Sequence, residues 1–215
     1  GSASHRKLID NLCHAWRRSP GVSPLEISAA IRAASITDAI LRERESIQLV
    51  WSGPDSTLVP IRRTEQVLAE IINFAKKRIF LVSFVAYKVP SVLNALKLST
   101  GRGVELSMLF ESSEGRGGKV STDAVAMMRE AIPNAKIYVW KPGDRERDNA
   151  GVFGSVHAKC AVADGKMALV SSANLTGAAL SMNMEMGLLV KGGDVPDQID
   201  RHLEALITTG AIVNA

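Results

Sequence analysis

The segment Val156–Val190, VHAKCAVADGKMALVSSANLTGAALSMNMEMGLLV, decides the fold because it has the pattern of two paired strands followed by polar side chains. Residues 156–163 alternate in direction as a strand does, and Asp164-Gly165 is typical of a hairpin turn. Residues 167–171 then return as the partner strand. The pattern predicts a strand–turn–strand unit, with a helix able to start in residues 174–180.

This unit collects five kinds of polar side chain at one rim. His157 and Lys159 are two positions apart, so their side chains leave the same face of the predicted strand. Ser172 and Asn174 follow the point where the second strand ends, and Glu185 falls on the next strand. An imidazole, an ammonium, a hydroxyl, an amide and a carboxylate are therefore expected to lie close together.

That set of groups is suited to phosphoryl transfer. Lys159, Ser172 and Asn174 are able to hold and neutralise phosphate oxygens. His157 is suited to attack phosphorus and form a covalent intermediate, and Glu185 to fix the tautomer of the imidazole. The sequence contains no cluster of carboxylates, histidines or cysteines typical of a metal site, so it favours a mechanism without metal or other cofactor. The alternative is an ordinary surface pair on a strand followed by helix caps.

The same residues resemble the signature motifs of the phospholipase D superfamily. Residues 157–164 fit its HxKxxxxD motif, and residues 171–174 (SSAN) stand where the superfamily has G-S-x-N, with Ser171 replacing the usual glycine. Residues 183–185 (NME) are similar to its later acidic element. The resemblance implies a phosphodiesterase acting through a phosphohistidine, a phospholipase D-like fold, and a structural role for Asp164 in the turn.

Outside this segment, strand and helix patterns alternate along the chain. Residues 47–215 are predicted to form an α/β catalytic domain with a mixed, largely parallel sheet flanked by helices. Residues 1–46 are predicted to form a small N-terminal helical appendage, with a third short helix from Thr37. The predicted strands include 47–51, 79–85, 104–110 and 136–140, and Pro90 is expected to open a helix.

Composition limits the broad class of the protein. The 215 residues are 46% apolar and 22% charged, and no apolar run approaches the roughly 20 residues that cross a bilayer. Residues 1–20 do not have the pattern of a signal peptide. The two cysteines, Cys13 and Cys160, are predicted to be reduced thiols rather than a disulfide framework. These features lead us to expect a cytoplasmic protein without a membrane partner.

A single motif predicts a homodimer. In superfamily members with two motifs, the motifs meet across a pseudo-twofold axis, and a chain with one motif needs a second copy from a partner. The resemblance therefore implies an isologous dimer with a shared site. His157 of one subunit would attack phosphorus, while the partner's His157 would protonate the leaving oxygen.

The predicted substrate is DNA, single- or double-stranded. Small single-motif members of the superfamily are often nucleases, and the net charge of +4 with a pI near 9.2 favours a polyanion. Between residues 62 and 119 there are ten Lys and Arg against five Asp and Glu. The candidate nucleic-acid-binding residues are Arg62, Arg63, Arg116, Lys119, Arg145 and Arg147.

A narrower resemblance concerns biological role. Residues 50–54 (VWSGP), residues 62–64 (RRT) and the helical N-terminal region resemble the phospholipase-D-like subunit of bacterial DISARM anti-phage systems. This implies a defence role, foreign DNA as the target and partner proteins of the same system. Two alternatives stay open: a lipid phosphodiesterase, which would have an apolar entrance, and a catalytically silent subunit that only binds nucleic acid.

Overall fold

The structure is a computed structural model that describes residues 3–56, 58–87, 89–113, 118–121, 123–149, 151 and 153–215. The chain divides into two compact units, Gly1–Glu43 and Arg44–Ala215. This division lies three residues before the boundary that we predicted after residue 46.

The first unit contains two helices, α1 (Ala3–Arg17) and α2 (Pro24–Arg44). A capping box opens α2: Ser23 Oγ accepts the Glu26 N–H at 3.3 Å, and the Glu26 carboxylate accepts the Ser23 N–H at 2.8 Å. The prediction of a separate helix from Thr37 is wrong. No glycine and no further proline interrupts the sequence of α2, so the helix continues through that position.

The second unit alternates strands and helices, as the sequence predicts. Its elements are β1 (Glu45–Ser52), β2 (Arg62–Arg63), α3 (Thr64–Phe74), β3 (Arg78–Ser83), α4 (Pro90–Gly101), β4 (Glu105–Phe110), α5 (Ala124–Ala131), β5 (Lys136–Trp140), a 3-10 turn (Pro142–Asp144), β6 (Cys160–Ala163), β7 (Met167–Ser171), a π-helical turn (Ala178–Met182), β8 (Glu185–Gly192), α6 (Val195–Thr208) and β9 (Ile212–Asn214).

Across the described residues, the strands form one sheet in the order β2-β1-β8-β7-β6-β3-β4-β5-β9. The predicted mixed α/β sheet flanked by helices is confirmed. Parallel pairing, however, is limited to β1–β2, β3–β4 and β4–β5, and the other five pairings are antiparallel. The expectation of a largely parallel sheet thus holds only for its β3–β4–β5 part. One reason is the length of the connections: β6 and β7 are joined by only three residues, and so short a connection can join two neighbouring strands only when they are antiparallel.

Helices cover the two faces of the sheet unequally. On one face α3, α4 and α5 enclose the main core, which includes Ile71, Leu96 and Met128. On the other face α6 packs through Leu203 onto Phe80 and its neighbours.

Part of this second face stays uncovered on β1, β8 and β7. Its apolar side chains are exposed, and they alternate along their strands with buried residues such as Val50 and Leu189. We call this surface the uncovered sheet face; it comprises Leu49, Val170, Met186 and Leu188.

Candidate active site

His157 and Lys159 lie just before β6, at the open end (the mouth) of the β6–β7 hairpin, rather than inside a strand. Residues 154–159 are extended but irregular, and β6 begins only at Cys160. The predicted strand over 156–163 is therefore too long, because the β3 ladder that pairs with β6 starts at the Val82–Cys160 rung. The Lys159 carbonyl accepts the Ser171 N–H at 3.1 Å, which ties this mouth to β7.

His157 and Lys159 are in direct contact, as their spacing predicts. Lys159 Nζ lies 3.1 Å from Nδ1 of His157 and donates to the His157 carbonyl at 2.7 Å. The imidazole is exposed, and its centroid lies 5.3 Å from that of Phe84. Partial burial lowers the pKa of Lys159, and the charge of Glu185 opposes this shift only in part. The ammonium is thus a partly buried cation beside an accessible imidazole.

Ser172 and Glu185 form a second pair at the same end of the hairpin. Ser172 Oγ donates to the Glu185 carboxylate and accepts the Met186 N–H at 3.1 Å. Among the described residues, no hydrogen bond joins Glu185 to His157. Within one chain the carboxylate is therefore engaged by Ser172, and its role in orienting His157 stays a prediction.

Asn174 is a half-buried residue at this end of the sheet. Its Oδ1 is buried and has no hydrogen-bond partner among the described residues. Asn174 and Lys159 line a small cavity of about 30 Å³, and Lys159 also lines an adjacent depression with His157 and Ser172. The structure therefore brings all five predicted site residues to one end of the sheet, with Glu185 joined to the group through Ser172. Of the helix predicted for 174–180, only the π-helical turn starting at Ala178 exists.

Ser171, the departure from the superfamily pattern, has a local explanation. Its hydroxyl accepts the Ala173 N–H at 3.0 Å and donates to the Met186 carbonyl at 3.3 Å. Gly187 lies directly opposite, and a Cβ there would approach the Val170 carbonyl oxygen to 2.7 Å and Ser171 Oγ to 3.1 Å. The serine fits because its cross-strand neighbour has no side chain.

Asp164 lies at the far end of β6 from His157. It occupies the left-handed region at φ 54°, followed by Gly165 at φ 62°, as a tight hairpin turn requires. Its carboxylate accepts the N–H groups of Lys76, Lys77 and Arg78 at 2.8–2.9 Å. Burial acts to raise the pKa of Asp164, but these backbone donors outweigh it and lower the pKa overall. The geometry is that of a residue that joins the hairpin to β3.

Two of the candidate nucleic-acid-binding residues form an exposed basic group. Lys119 Nζ and the Arg147 guanidinium lie 4.8 and 5.0 Å from the centroid of the Phe153 ring. Phe153 precedes His157 by four positions, so this group borders the segment that carries the imidazole. We call Lys119 and Arg147 the Phe153 cation pair.

The other candidates lie in different surroundings. Arg62 pairs with Glu70 at 2.5 Å, and Arg63 donates to the Gly53 carbonyl at 2.7 Å, so both are partly engaged. Arg116 lies outside the described residues. The prediction that Arg145 contacts nucleic acid is wrong: its side chain is buried because it pairs with the buried Glu111 at 2.6 Å.

Sequence reasoning missed two features of this region. Glu111 was not recognised, although it is an acid directly after a continuous apolar strand and is fully buried. An apolar cavity of about 470 Å³ also adjoins His157, and its walls come from six separate parts of the chain. The lining includes Val82, Leu109, Trp140, Val156, Leu203 and Ile212.

The described residues contain neither a metal-binding cluster nor a membrane-spanning helix. No group of three or more histidine, cysteine, aspartate or glutamate side chains in this part of the chain is arranged to hold a metal ion. None of the described helices combines the length and the apolar character needed to cross a bilayer.

The mixed sheet, with its motif at the mouth of the β6–β7 hairpin, is that of a phospholipase D-like domain. The chain belongs to the family described as "Cardiolipin synthase, PLD-like domain", whose model matches residues 68–207.

Two relatives illustrate the range of similar proteins. A cardiolipin synthase of Listeria monocytogenes is 30% identical over 149 residues, which are 67% of this chain and 27% of that protein. The DISARM protein DrmC of Bacillus paralicheniformis is 26% identical over 152 residues, 70% of this chain and 59% of DrmC. The chain thus spans about a quarter of the synthase. The resemblance to the DISARM subunit predicted from the sequence is confirmed at this level.

Solved structures agree on the fold. NucT from Helicobacter pylori superposes with a TM-score of 0.60 at 14% identity, covering 79% of this chain and all of NucT. Nuc from Salmonella typhimurium, a phospholipase D family member, gives a TM-score of 0.51 at 21% identity, covering 75% of this chain and 93% of Nuc. At these identities the likeness supports the fold alone.

Proposed function

We propose that this chain is one subunit of a metal-independent phosphodiesterase that cleaves DNA through a phosphohistidine. The observation that carries the proposal is the contact of the exposed His157 with Lys159, beside Ser172 and Asn174. An accessible nucleophile next to a partly buried ammonium is suited to attack a charged phosphodiester, since the cation stabilises the negative charge that develops.

The proposed reaction has two displacements at phosphorus. In the first, a ring nitrogen of His157 bonds to phosphorus while one P–O ester bond breaks, and the leaving oxygen takes a proton from the partner's His157. In the second, the partner's His157 removes a proton from water, and the resulting oxygen displaces His157 from phosphorus. Lys159 and Asn174 are placed to neutralise and hold the non-bridging oxygens.

A second copy of this chain is the proposed occupant of the uncovered sheet face. Its members are 39–56% exposed, and Leu188 stands opposite Leu49 on one side and Val170 on the other. A continuous apolar surface of this kind is typical of an interaction site. Val170 also lines the depression that contains His157 and Lys159, so a twofold contact over this face would bring two copies of the motif near each other.

DNA is favoured over other phosphodiesters by charge. The Phe153 cation pair borders the His157 segment, and the chain carries a net charge of +4. Exposed cations at the start of the segment that carries the nucleophile suit a substrate with regularly spaced phosphates. The similarity to the DISARM protein DrmC supports a role in anti-phage defence together with other proteins of that system.

The test is cleavage of labelled single- and double-stranded DNA in EDTA by wild type, His157→Ala and the control His14→Ala. We expect wild type and His14→Ala to cleave and His157→Ala to be inactive. A labelled phosphohistidine should be trapped in wild type by a denaturing quench at alkaline pH, where the P–N bond is stable. Cleavage that EDTA abolishes, or that survives in His157→Ala, would contradict the proposal. Binding without cleavage by a folded wild type would favour the silent DNA-binding alternative.

A lipid phosphodiester is the second candidate substrate, and the apolar cavity of about 470 Å³ beside His157 favours it. Such a cavity accepts an alkyl chain attached to the phosphate, and several relatives are named cardiolipin synthase. Incubation of phosphatidylglycerol vesicles with and without the enzyme, followed by measurement of released headgroup, distinguishes a lipid substrate from DNA. Headgroup release by wild type but not by His157→Ala, with DNA left intact, would replace the nuclease proposal by this one.

A further inference from the structure

A buried ion pair lies directly behind the segment that carries His157. Glu111 follows the last residue of β4, and Arg145 follows the 3-10 turn after β5. The two side chains are 0% and 1% exposed, and Arg145 Nη1 lies 2.6 Å from Glu111 Oε1. Enclosing both charges costs free energy that their pairing must offset, so a close geometry is required. Both terminal nitrogens of Arg145 are hydrogen-bonded, while its buried Nε has no partner among the described residues.

The pair bonds to the backbone on the N-terminal side of the imidazole. Glu111 Oε2 accepts the Val156 N–H at 2.7 Å. Arg145 donates to the Gly154 carbonyl at 3.3 Å and to the Trp140 carbonyl at 3.2 Å. One carboxylate and one guanidinium thus connect the ends of β4 and β5 to the residue just before His157.

This connection matters because residues 154–159 lie outside the sheet ladder. Lys159 is bonded to β7 through its carbonyl, which fixes the C-terminal end of the segment. At the N-terminal end, the Val156 N–H to Glu111 bond has an ionised acceptor and is buried, which makes it stronger than a neutral bond. The direction in which the chain enters His157 therefore depends on Glu111.

We propose that Glu111 and Arg145 are positioning residues for His157: together they hold the Gly154–Val156 backbone so that the imidazole faces the phosphate site. The expected effect on kcat rests on the proposed function, whereas the positioning of His157 does not. Neither side chain reaches the solvent, so neither contacts substrate, and their effect passes through the backbone of Val156.

The chain offers a matched control at the opposite end of β6. Arg78 and Asp200 also form an ion pair with a buried carboxylate, at the turn that contains Asp164 and Gly165. Substitutions at Asp200 remove a buried charge partner without touching residues 154–159. Glu111→Gln and Asp200→Asn both replace a buried carboxylate by its amide, and they differ in which end of β6 they disturb. The arginine partner is 1% exposed in the first pair and 40% exposed in the second.

The experiment compares wild type, Glu111→Gln, Arg145→Met and Asp200→Asn by melting temperature, kcat and KM on DNA, and imidazole NMR signals. We expect kcat to fall about 100-fold in Glu111→Gln and Arg145→Met, as for a nucleophile displaced by about 1 Å, with KM within about threefold. The His157 signals should shift or broaden in these two variants. In Asp200→Asn the melting temperature should fall comparably while kcat and the His157 signals stay as in wild type.

Two results would overturn the proposal. One is a His157 spectrum in folded Glu111→Gln identical to that of wild type. The other is an equal loss of kcat in Asp200→Asn, which would assign the effect to stability. The NMR comparison needs no turnover, so an inactive wild type would count against the proposed function while leaving this inference testable.

Discussion

Lys159 Nζ lies 3.1 Å from Nδ1 of His157, and the same ammonium donates to the His157 carbonyl at 2.7 Å. The cation is therefore bound to the residue that it is proposed to assist. Because an ammonium only donates, His157 Nδ1 is the acceptor in this contact and the proton of a neutral ring lies on Nε2. We expect phosphate oxygens that compete for the ammonium to free Nδ1, which would couple substrate binding to activation of the imidazole.

Replacing Lys159 should therefore affect turnover more than folding. We expect Lys159→Met to lower kcat about 100- to 1,000-fold, as for loss of one charged donor at an oxyanion. Lys159→Arg keeps the charge but not the compact geometry and should recover only part of the activity. Steady-state kinetics with melting curves as control test this. A kcat for Lys159→Met within a few-fold of wild type would contradict it.

Asp164 should contribute stability that depends on pH. Its folded-state pKa is lowered, so the contribution is complete above the unfolded-state pKa of about 3.9 and is lost as the pH falls through the lower folded-state value. Near neutral pH we expect Asp164→Ala to cost about 2 kcal/mol, from three bonds to a charged acceptor and strain at positive φ.

Asp164→Asn is the matched variant, because asparagine tolerates the left-handed conformation but lacks the charge. Denaturant unfolding of wild type and Asp164→Asn from pH 7 to pH 2 should show their difference shrinking only in the acidic range. A difference that stays constant down to pH 2 would mean that the carboxylate charge is not what stabilises the turn.

The uncovered sheet face should control assembly. We expect Leu188→Asp to give monomers in sedimentation velocity and to abolish cleavage, because a charge there cannot be buried against a second copy. Leu98→Asp on α4 is the control, since Leu98 is 57% exposed and lies on the opposite helical layer. A dimeric, active Leu188→Asp protein would place the interface elsewhere.

Subunit mixing tests whether the site is shared. Wild type and His157→Ala chains, mixed in equal amounts and allowed to exchange, should retain about one quarter of the activity of an all-wild-type sample, because only dimers with two intact copies act. Independent sites would retain about one half.

The Phe153 cation pair should contribute to DNA affinity in a salt-dependent way. We expect Lys119→Ala and Arg147→Ala each to weaken binding and to reduce the slope of log affinity against log salt by about 1. Lys136→Ala is the control, because Lys136 pairs with Glu105 at the far end of β5. Unchanged salt slopes in both variants would remove this pair from the DNA surface.

The sequence by itself determined several of the strands and the residue types of the motif. Lys136–Trp140 and Met167–Ser171 are strands at the residues predicted, because each is a short apolar run with a clear break at both ends. The contact of His157 with Lys159 follows from their two-residue spacing, and the Asp164-Gly165 turn from the residues that tolerate positive φ.

Only the tertiary structure decided which of the charged side chains are exposed and which are buried in ion pairs. In the sequence, Arg145 and Arg147 are equivalent cations of one loop, yet Arg145 is buried against Glu111 while Arg147 is exposed over Phe153. The direction of the strand pairings, and the exposure of Leu188 beside the buried Leu189, were likewise fixed by the fold. Burial and pairing depend on neighbours that are distant along the chain, and a local pattern contains no information about them.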